Sequence, residues 1–241
     1  HLSNRCSTPR GAAAMSEMNE QRMIEWLSRL RSEAKSSELA PSAYDFALDP
    51  RKAGDLSAVD VKMALMASFP YEGAWRERGI YVWYWPRTAG HGAWPLYVGK
   101  VYGATRNFRL RTGEHLAHAV SGTDSLYCPV LSREERRLVP LHTAGASVGP
   151  RHAELMVRQF AGMRILLLPI PKSDAEDLAG EAESLVLEAA HELNFRQFRS
   201  ASAESRDSDP WVMNTLAKVR SWELDPDLVE EAAEALNKWM A

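Results

Sequence analysis

The sequence predicts an α+β fold: a small central antiparallel sheet of three strands, flanked by helices and extended by further helices at the N- and C-termini. Three short apolar segments have the β-branched and aromatic composition of strands, and segments with a 3.6-residue apolar repeat precede, separate and follow them. A chain of 241 residues has room for one sizeable core with appendages. Its 45% hydrophobic and 25% charged residues exclude disorder throughout and a collagen-like repeat.

The N-terminal part of the chain predicts a leader followed by a helical extension. Residues 1–14 precede the first methionine, and we expect them to be a non-native or disordered leader. Within the extension, 15–70, the segment 17–35 has an apolar stripe at helical spacing. A second short helix is predicted over 60–69, where Pro70 ends it.

Three strands are predicted in the central part of the chain. Residues 79–85 form a run of Ile, Tyr, Val and Trp, which are strand-forming residue types. Residues 96–99 follow a glycine-containing loop and are expected to pair antiparallel with the first strand. The third strand is predicted over 164–170, at an edge of the sheet, because Pro169 and Pro171 cannot donate backbone hydrogen bonds.

The other helices are predicted between and after these strands. A helix over 104–120 follows the second strand, and a strongly amphipathic helix over 174–193 follows the third. The acidic C-terminal tail, 201–241, carries a further amphipathic helix over 225–240. Residues 127–158 have few periodic apolar positions and are interpreted as an insertion, since long loops in compact domains are usually functional or disordered.

Charge is distributed unevenly along the chain, although the net charge is only -3. Residues 76–118 contain seven basic and two acidic side chains, which makes this stretch a candidate contact surface for a polyanion. Residues 201–241 contain four basic and nine acidic side chains. The alternative that both stretches are simply solvated surface remains open at this point.

Apolar runs and cysteines exclude two classes of protein. The longest unbroken apolar run, 80–85, is far shorter than the ~18 residues that a membrane-spanning helix needs. Cys6 and Cys128 are too few for a disulfide framework or a four-thiolate zinc site. We therefore expect a cytoplasmic protein that has no membrane partner.

Several short motifs occur in a fixed order within the basic stretch. A Gly-Ile-Tyr tripeptide ends at Tyr81, and Tyr-Val-Gly-Lys runs from Tyr97 to Lys100. An Asn-Phe-Arg-Leu-Arg segment then ends at Arg111. His115 comes four residues later, one helical turn further on. Each motif alone is weak evidence, and their joint order is the informative feature.

This ordered set resembles the GIY-YIG nuclease family, and the resemblance assigns residues 71–200 to a nuclease domain. It implies a catalytic tyrosine in each of the two tyrosine motifs, catalytic roles for the motif lysine, arginine and histidine, a metal-binding Glu183, and a catalytic Asn194 at the end of the last core helix. The spacing from Glu183 to Asn194 is one residue shorter than is usual in the family. Glu181 and Glu188 therefore remain alternative metal ligands.

The chemistry of phosphodiester hydrolysis is consistent with these residue types. Tyr81, with an ordinary pKa near ~10, can act as a base only if Lys100, Arg111 and a divalent ion favour its phenolate. Arg111 offers a permanent planar charge to the phosphate, and His115 can accept a hydrogen bond or relay a proton. A single carboxylate such as Glu183 suits Mg²⁺, for which Mn²⁺ may substitute.

The resemblance implies a metal-dependent DNA endonuclease of the type II restriction kind, because His115 stands where the incision nucleases of excision repair have a tyrosine. One alternative is a structure-specific repair or recombination nuclease. An alternative from another class is a non-catalytic DNA-binding module that kept the fold. Double-stranded DNA is the expected partner in each case. A homodimer is expected on a palindromic site, because one catalytic centre serves one strand.

Five arginines are the candidate DNA contacts outside the catalytic set. Two of them shortly precede the motif arginine, and three lie in the 127–158 insertion, where we expect sequence readout because arginine suits guanine edges and phosphates. They are Arg106, Arg109, Arg133, Arg136 and Arg137.

Overall fold

A computed structural model gives the structure of the protein. It describes the following residues: 21–22, 24–28, 58–68, 71–85, 93–121, 164–170, 175–200 and 224–240. The predicted leader over 1–14 and the predicted insertion over 127–158, with its three candidate DNA-contacting arginines, lie outside these ranges.

The described helices and strands follow one another in the order that the sequence predicts. In chain order they are α1 (Ala58–Ser68), a 3₁₀ turn (Gly73–Arg76), β1 (Gly79–Trp85), β2 (Trp94–Val101), α2 (Phe108–Ser121), β3 (Arg164–Pro169), α3 (Ala175–Ser200) and α4 (Pro226–Met240). Residues 21–22 and 24–28 are also helical, within the predicted segment 17–35.

The three strands form one antiparallel sheet in the order β2-β1-β3. The predicted α+β class, the three-stranded antiparallel sheet and the edge position of the third strand are confirmed. The second strand is longer than predicted, because β2 begins at Trp94 and includes Pro95. An edge strand tolerates proline. The register with β1 is irregular between Trp83 and Tyr84, and Tyr84 pairs with Pro95.

The central strand β1 is buried on both faces, and successive side chains point to opposite sides of the sheet. Ile80, Val82 and Tyr84 belong to the main core, which also contains side chains of α3 and α4. Tyr81 and Trp83 face α2, where both rings contact His115. Helices α3 and α4 therefore pack against the main core, whereas α2 contacts Tyr81 through His115.

Two core helices differ from the sequence prediction at their ends. Helix α2 begins at Phe108 instead of Ala104, because the Asn107 side chain caps it by accepting from the Leu110 backbone N–H at 2.9 Å. Helix α3 continues to Ser200, seven residues beyond its predicted end. Asn194 therefore lies inside α3, and its expected place at the helix end was wrong.

The helical residues near the N-terminus are attached to the sheet. Trp26 is almost completely buried, and its Nε1 donates to the Pro169 carbonyl oxygen at the end of β3, at 3.2 Å. Within the described ranges, no helix has both the length and the apolar composition needed to cross a membrane.

Candidate active site

A buried tyrosine–histidine pair forms the centre of the candidate site. The Tyr81 hydroxyl and the His115 Nε2 atom are hydrogen-bonded at 2.6 Å. Strand β1 supplies Tyr81, and helix α2 supplies His115 from its second turn. The rings of Tyr97 and Trp83 lie edge-on to the imidazole, with centroid distances of 5.2 and 6.4 Å. His115 is only 4% exposed, so this aromatic surround fixes the ring in place.

The Tyr81 phenol is held in its protonated form. Burial raises the pKa of Tyr81 well above its ordinary value, and the neighbouring Tyr97 raises it further. Arg111 acts in the opposite direction, but burial outweighs it. The Arg111 cation therefore does not by itself make Tyr81 a phenolate, and the expected contribution of a divalent ion stays a prediction. A protonated phenol instead has a proton to donate to His115.

A cavity of about 610 Å³ opens beside this pair, at the end of the sheet where β2 leads into α2. Most of the residues expected from the motifs meet there, although 102 positions separate Tyr81 from Glu183 in the sequence. The sequence-predicted residues that line the cavity are Tyr81, Tyr97, Lys100, Arg106, Arg111 and Glu183.

Arg111 lies in the first turn of α2 and is partly buried at the cavity wall. Its Nη1 donates to Glu114 Oε2 at 2.7 Å. Burial alone lowers the pKa of Arg111, but Glu114, Tyr81 and Tyr97 raise it above the ordinary value. The guanidinium is therefore permanently charged, although it is half removed from solvent.

Glu183 of α3 reaches the same cavity and forms an ion pair with Lys100. Its Oε2 atom lies 3.1 Å from the Lys100 Nζ atom, and its side chain is 14% exposed. The alternative ligands Glu181 and Glu188 belong to the same helix but are not among the described residues that line the cavity. Of the three glutamates, Glu183 is therefore the one that lines the cavity formed by the described residues.

Two predicted site residues have other surroundings. Asn194 is buried, and its Nδ2 donates to the Pro95 carbonyl oxygen at 3.1 Å, which ties α3 to β2. The Arg109 guanidinium lies 3.7 Å from the centre of the Tyr71 ring, and its Nη2 donates to the Met66 carbonyl oxygen at 3.1 Å. Neither residue is among the described residues that line the cavity.

Sequence reasoning missed two residues that line the cavity and one that pairs with its arginines. Glu114 accepts from Arg106 as well as from Arg111, and its place three residues after Arg111 on a helix is a signal that could have found it. Tyr102 and Thr105 line the cavity in the loop between β2 and α2. Tyr102 is exposed, and Lys100 Nζ lies 5.6 Å from the centre of its ring.

The described lining of the cavity offers a single carboxylate, which suits a cation whose other ligands are water and phosphate oxygens. No cluster of three or more histidine, cysteine, aspartate or glutamate side chains that could hold a metal occurs in the part of the chain that the structure describes. A single carboxylate at the wall of an open cavity is the donor set that Mg²⁺ uses when water and phosphate oxygens complete its shell. Glu183 meets that description.

Comparison with other proteins identifies no relative: no protein-family model matches the chain, and neither a curated protein nor a solved structure does. The fold and the site therefore define the class of protein by themselves. It is an α+β protein with a small antiparallel sheet, and it has a basic cavity next to a buried tyrosine–histidine pair.

Proposed function

We propose that the protein is a metal-dependent DNA endonuclease of the GIY-YIG family, of the type II restriction kind. One observation carries the proposal. The motif residues Tyr81, Tyr97, Lys100 and Arg111 line one cavity together with Glu183, and His115 is hydrogen-bonded directly to Tyr81. These residues come from different parts of the chain, and their convergence at one cavity supports the resemblance.

The tyrosine–histidine pair supplies the base of the proposed reaction. Water loses a proton to the Tyr81 oxygen while Tyr81 passes its own proton to His115 Nε2 along the 2.6 Å hydrogen bond. This relay needs no preformed phenolate, and it is therefore compatible with the raised pKa of Tyr81. The hydroxide then forms a bond to phosphorus, and the bond from phosphorus to the leaving sugar oxygen breaks.

The cations of the cavity stabilise the charge that develops on the phosphate. Arg111 remains charged and faces the cavity beside Tyr81, so it can donate to the non-bridging oxygens in the transition state. Lys100 contributes a second positive charge at the same wall. Glu183 would hold a Mg²⁺ or Mn²⁺ ion, and such an ion neutralises phosphate charge and stabilises the leaving oxygen.

Double-stranded DNA is the proposed substrate, and a homodimer on a palindromic site is the proposed arrangement for cutting both strands. Arg106 at the cavity supplies a further phosphate contact. The restriction assignment depends on His115, because the repair-type alternative has a tyrosine there. The candidate sequence-reading residues Arg133, Arg136 and Arg137 lie outside the described residues, and their role stays a prediction.

A cleavage assay with matched arginine variants tests the proposal. The purified chain is incubated with supercoiled plasmid and with linear duplex in Mg²⁺, in Mn²⁺ and in excess chelator. We expect cleavage with either cation and none in chelator. Arg111→Ala should reduce the single-turnover rate about 10²-fold or more, because it removes an interaction made mainly in the transition state. Arg22→Ala, in the N-terminal helical segment, is the control and should cut normally.

Each alternative has its own outcome. Site-specific double-strand cleavage supports the restriction assignment. Cleavage confined to branched or flapped substrates would favour the repair or recombination nuclease. Duplex binding without cleavage in every cation would overturn the nuclease assignment in favour of a non-catalytic DNA-binding module.

A further inference from the structure

One carboxylate oxygen joins two guanidinium groups at the cavity. Glu114 Oε2 accepts from Arg111 Nη1 at 2.7 Å and from Arg106 Nη1 at 3.0 Å. Both arginines line the cavity, whereas the described lining does not include Glu114 itself. The position between the two cations where an anionic oxygen binds is thus already taken by the protein's own side chain.

A carboxylate and a phosphate compete for guanidinium on equal terms, because each offers anionic oxygens to the same N–H donors. Glu114 remains an acceptor throughout the neutral range, since the hydrogen bond from Arg111 lowers the pKa of its carboxyl below the ordinary value. A phosphate that enters the cavity meets two arginines that each already donate from Nη1 to Glu114.

The contact is also one that can open. Glu114 follows Arg111 by three residues in the same helix, so the pair forms locally and persists in the free protein. The side chains of Glu114 and Arg106 are 37% and 54% exposed, and ion pairs with that exposure are weak. An incoming phosphate can therefore displace the carboxylate without unfolding any part of α2.

We propose that Glu114 is a built-in competitor for the phosphate group of the substrate: it occupies Arg106 and Arg111 in the free protein, sets the anion affinity of the cavity, and yields its place to a DNA backbone phosphate on binding. The identification of the displacing anion as a DNA backbone phosphate rests on the proposed function. The competition itself rests only on the shared oxygen and needs no catalytic activity.

The test replaces Glu114 by glutamine, which keeps the size of the side chain and an acceptor oxygen but removes the charge. Glu234→Gln is the matched control, because Glu234 is an exposed glutamate on α4 and its replacement changes the net charge equally. Two probes are titrated in excess chelator, so that no cleavage occurs: inorganic phosphate followed by protein NMR, and a short DNA duplex followed by fluorescence anisotropy.

We expect Glu114→Gln to bind both probes about three- to tenfold more tightly than the wild type. The salt dependence of duplex binding should become steeper by about one unit of slope, since one more cationic charge is free to neutralise DNA phosphate. The control should bind both probes within about twofold of the wild type. A purely structural role for Glu114 predicts the opposite direction, because misplaced arginines bind more weakly.

Unchanged or weaker phosphate binding in Glu114→Gln overturns the proposal. Tighter phosphate binding without tighter duplex binding overturns the assignment to a DNA backbone phosphate. An equal gain in Glu234→Gln also overturns it, because the effect would then be one of net charge. Failure of the nuclease proposal would give another result. Neither the wild type nor any variant would cleave DNA, while Glu114→Gln would still bind phosphate more tightly than the wild type.

Discussion

The phenol of Tyr81 occupies the space that a side chain at Gly99 would need. The two residues are cross-strand partners on β1 and β2, and a Cβ atom added at Gly99 would overlap the Tyr81 hydroxyl and the ring carbon that bears it. No positive φ angle accounts for glycine at this position. The glycine of the second tyrosine motif is therefore needed because the first tyrosine crosses it to reach His115.

Gly99→Ala tests this relationship. The added methyl group should displace the Tyr81 hydroxyl and break its hydrogen bond to His115, so we expect cleavage to fall about 10²-fold or more. Overpacking should cost about 1–3 kcal/mol of unfolding free energy. Gly180→Ala is the control, because a Cβ there meets no atom within 4 Å and lies in helix α3. It should keep full activity and gain up to ~1 kcal/mol. Equal activity of the two variants would contradict the explanation.

Arg109 and Arg106 are expected to respond to replacement in different ways. Arg109 stacks on Tyr71 and donates to the Met66 carbonyl, so Arg109→Ala should lower the unfolding free energy by about 1–2 kcal/mol. It should change duplex affinity little. Arg106→Ala should leave stability nearly unchanged but flatten the salt dependence of duplex binding by about one unit of slope. Urea denaturation and anisotropy titrations separate the two effects. If only Arg109→Ala loses duplex affinity, the prediction that Arg109 contacts DNA is supported and its structural role is contradicted.

Local patterns in the sequence were enough to predict the sheet and the motif residues. The apolar run of β1 is a strong strand signal, and the order of the motifs identified Tyr81, Tyr97, Lys100 and Arg111, all of which line the cavity. The edge position of β3 followed from its prolines. These features depend on residues near one another in the chain, where propensity and periodicity carry information.

The features that sequence reasoning missed depend on distant residues. The stacking partner of Arg109 lies 38 positions earlier in the chain, and the acceptor of its hydrogen bond lies 43 positions earlier. The continuation of α3 past Asn194 was missed although no glycine or proline stops the helix before Ser200. Beyond Asn194, Arg196 pairs with Glu230 of α4 at 3.2 Å, a contact that the local sequence does not show. The hydrogen bond from Asn194 to Pro95 joins elements 99 positions apart.

The raised pKa of Tyr81 predicts a loss of stability at alkaline pH. In the unfolded chain the phenol ionises near ~10, whereas in the folded protein it stays protonated to higher pH. The stabilising contribution is complete below about pH 10 and is lost as the pH rises towards the folded pKa. Tyr81→Phe removes this dependence, so its unfolding free energy should fall less steeply above pH 10.

The same variant has a separate effect at neutral pH. Loss of the hydrogen bond to His115 should cost about 0.5–1.5 kcal/mol, and cleavage should fall as far as in Arg111→Ala. Urea denaturation from pH 8 to pH 11 gives both quantities. Parallel wild-type and Tyr81→Phe profiles above pH 10 would show that Tyr81 ionises in the folded protein as it does in the unfolded chain.

Glutamine variants along α3 test which glutamate of this helix binds the metal ion. Glu183 faces the cavity and pairs with Lys100 at 3.1 Å, whereas Glu181 is not among the described residues of the cavity wall. Glu183→Gln should abolish Mn²⁺-dependent cleavage and weaken Mn²⁺ binding, measured by isothermal titration in the absence of DNA. Duplex affinity should not fall, because the arginines are still present and Lys100 no longer has a competing carboxylate. The change should cost about 1–3 kcal/mol of unfolding free energy, because the Glu183 side chain is only 14% exposed and Lys100 loses the charge of its partner.

Glu181→Gln and Glu188→Gln are the matched controls, since they remove the same charge from the same helix. Both should bind Mn²⁺ and cut DNA like the wild type. If Glu181→Gln abolishes cleavage and Glu183→Gln does not, the motif spacing from Asn194 has been read in the wrong register. If all three variants keep full activity, and the wild type also cuts in excess chelator, then Glu183 serves only to orient Lys100 towards the phosphate.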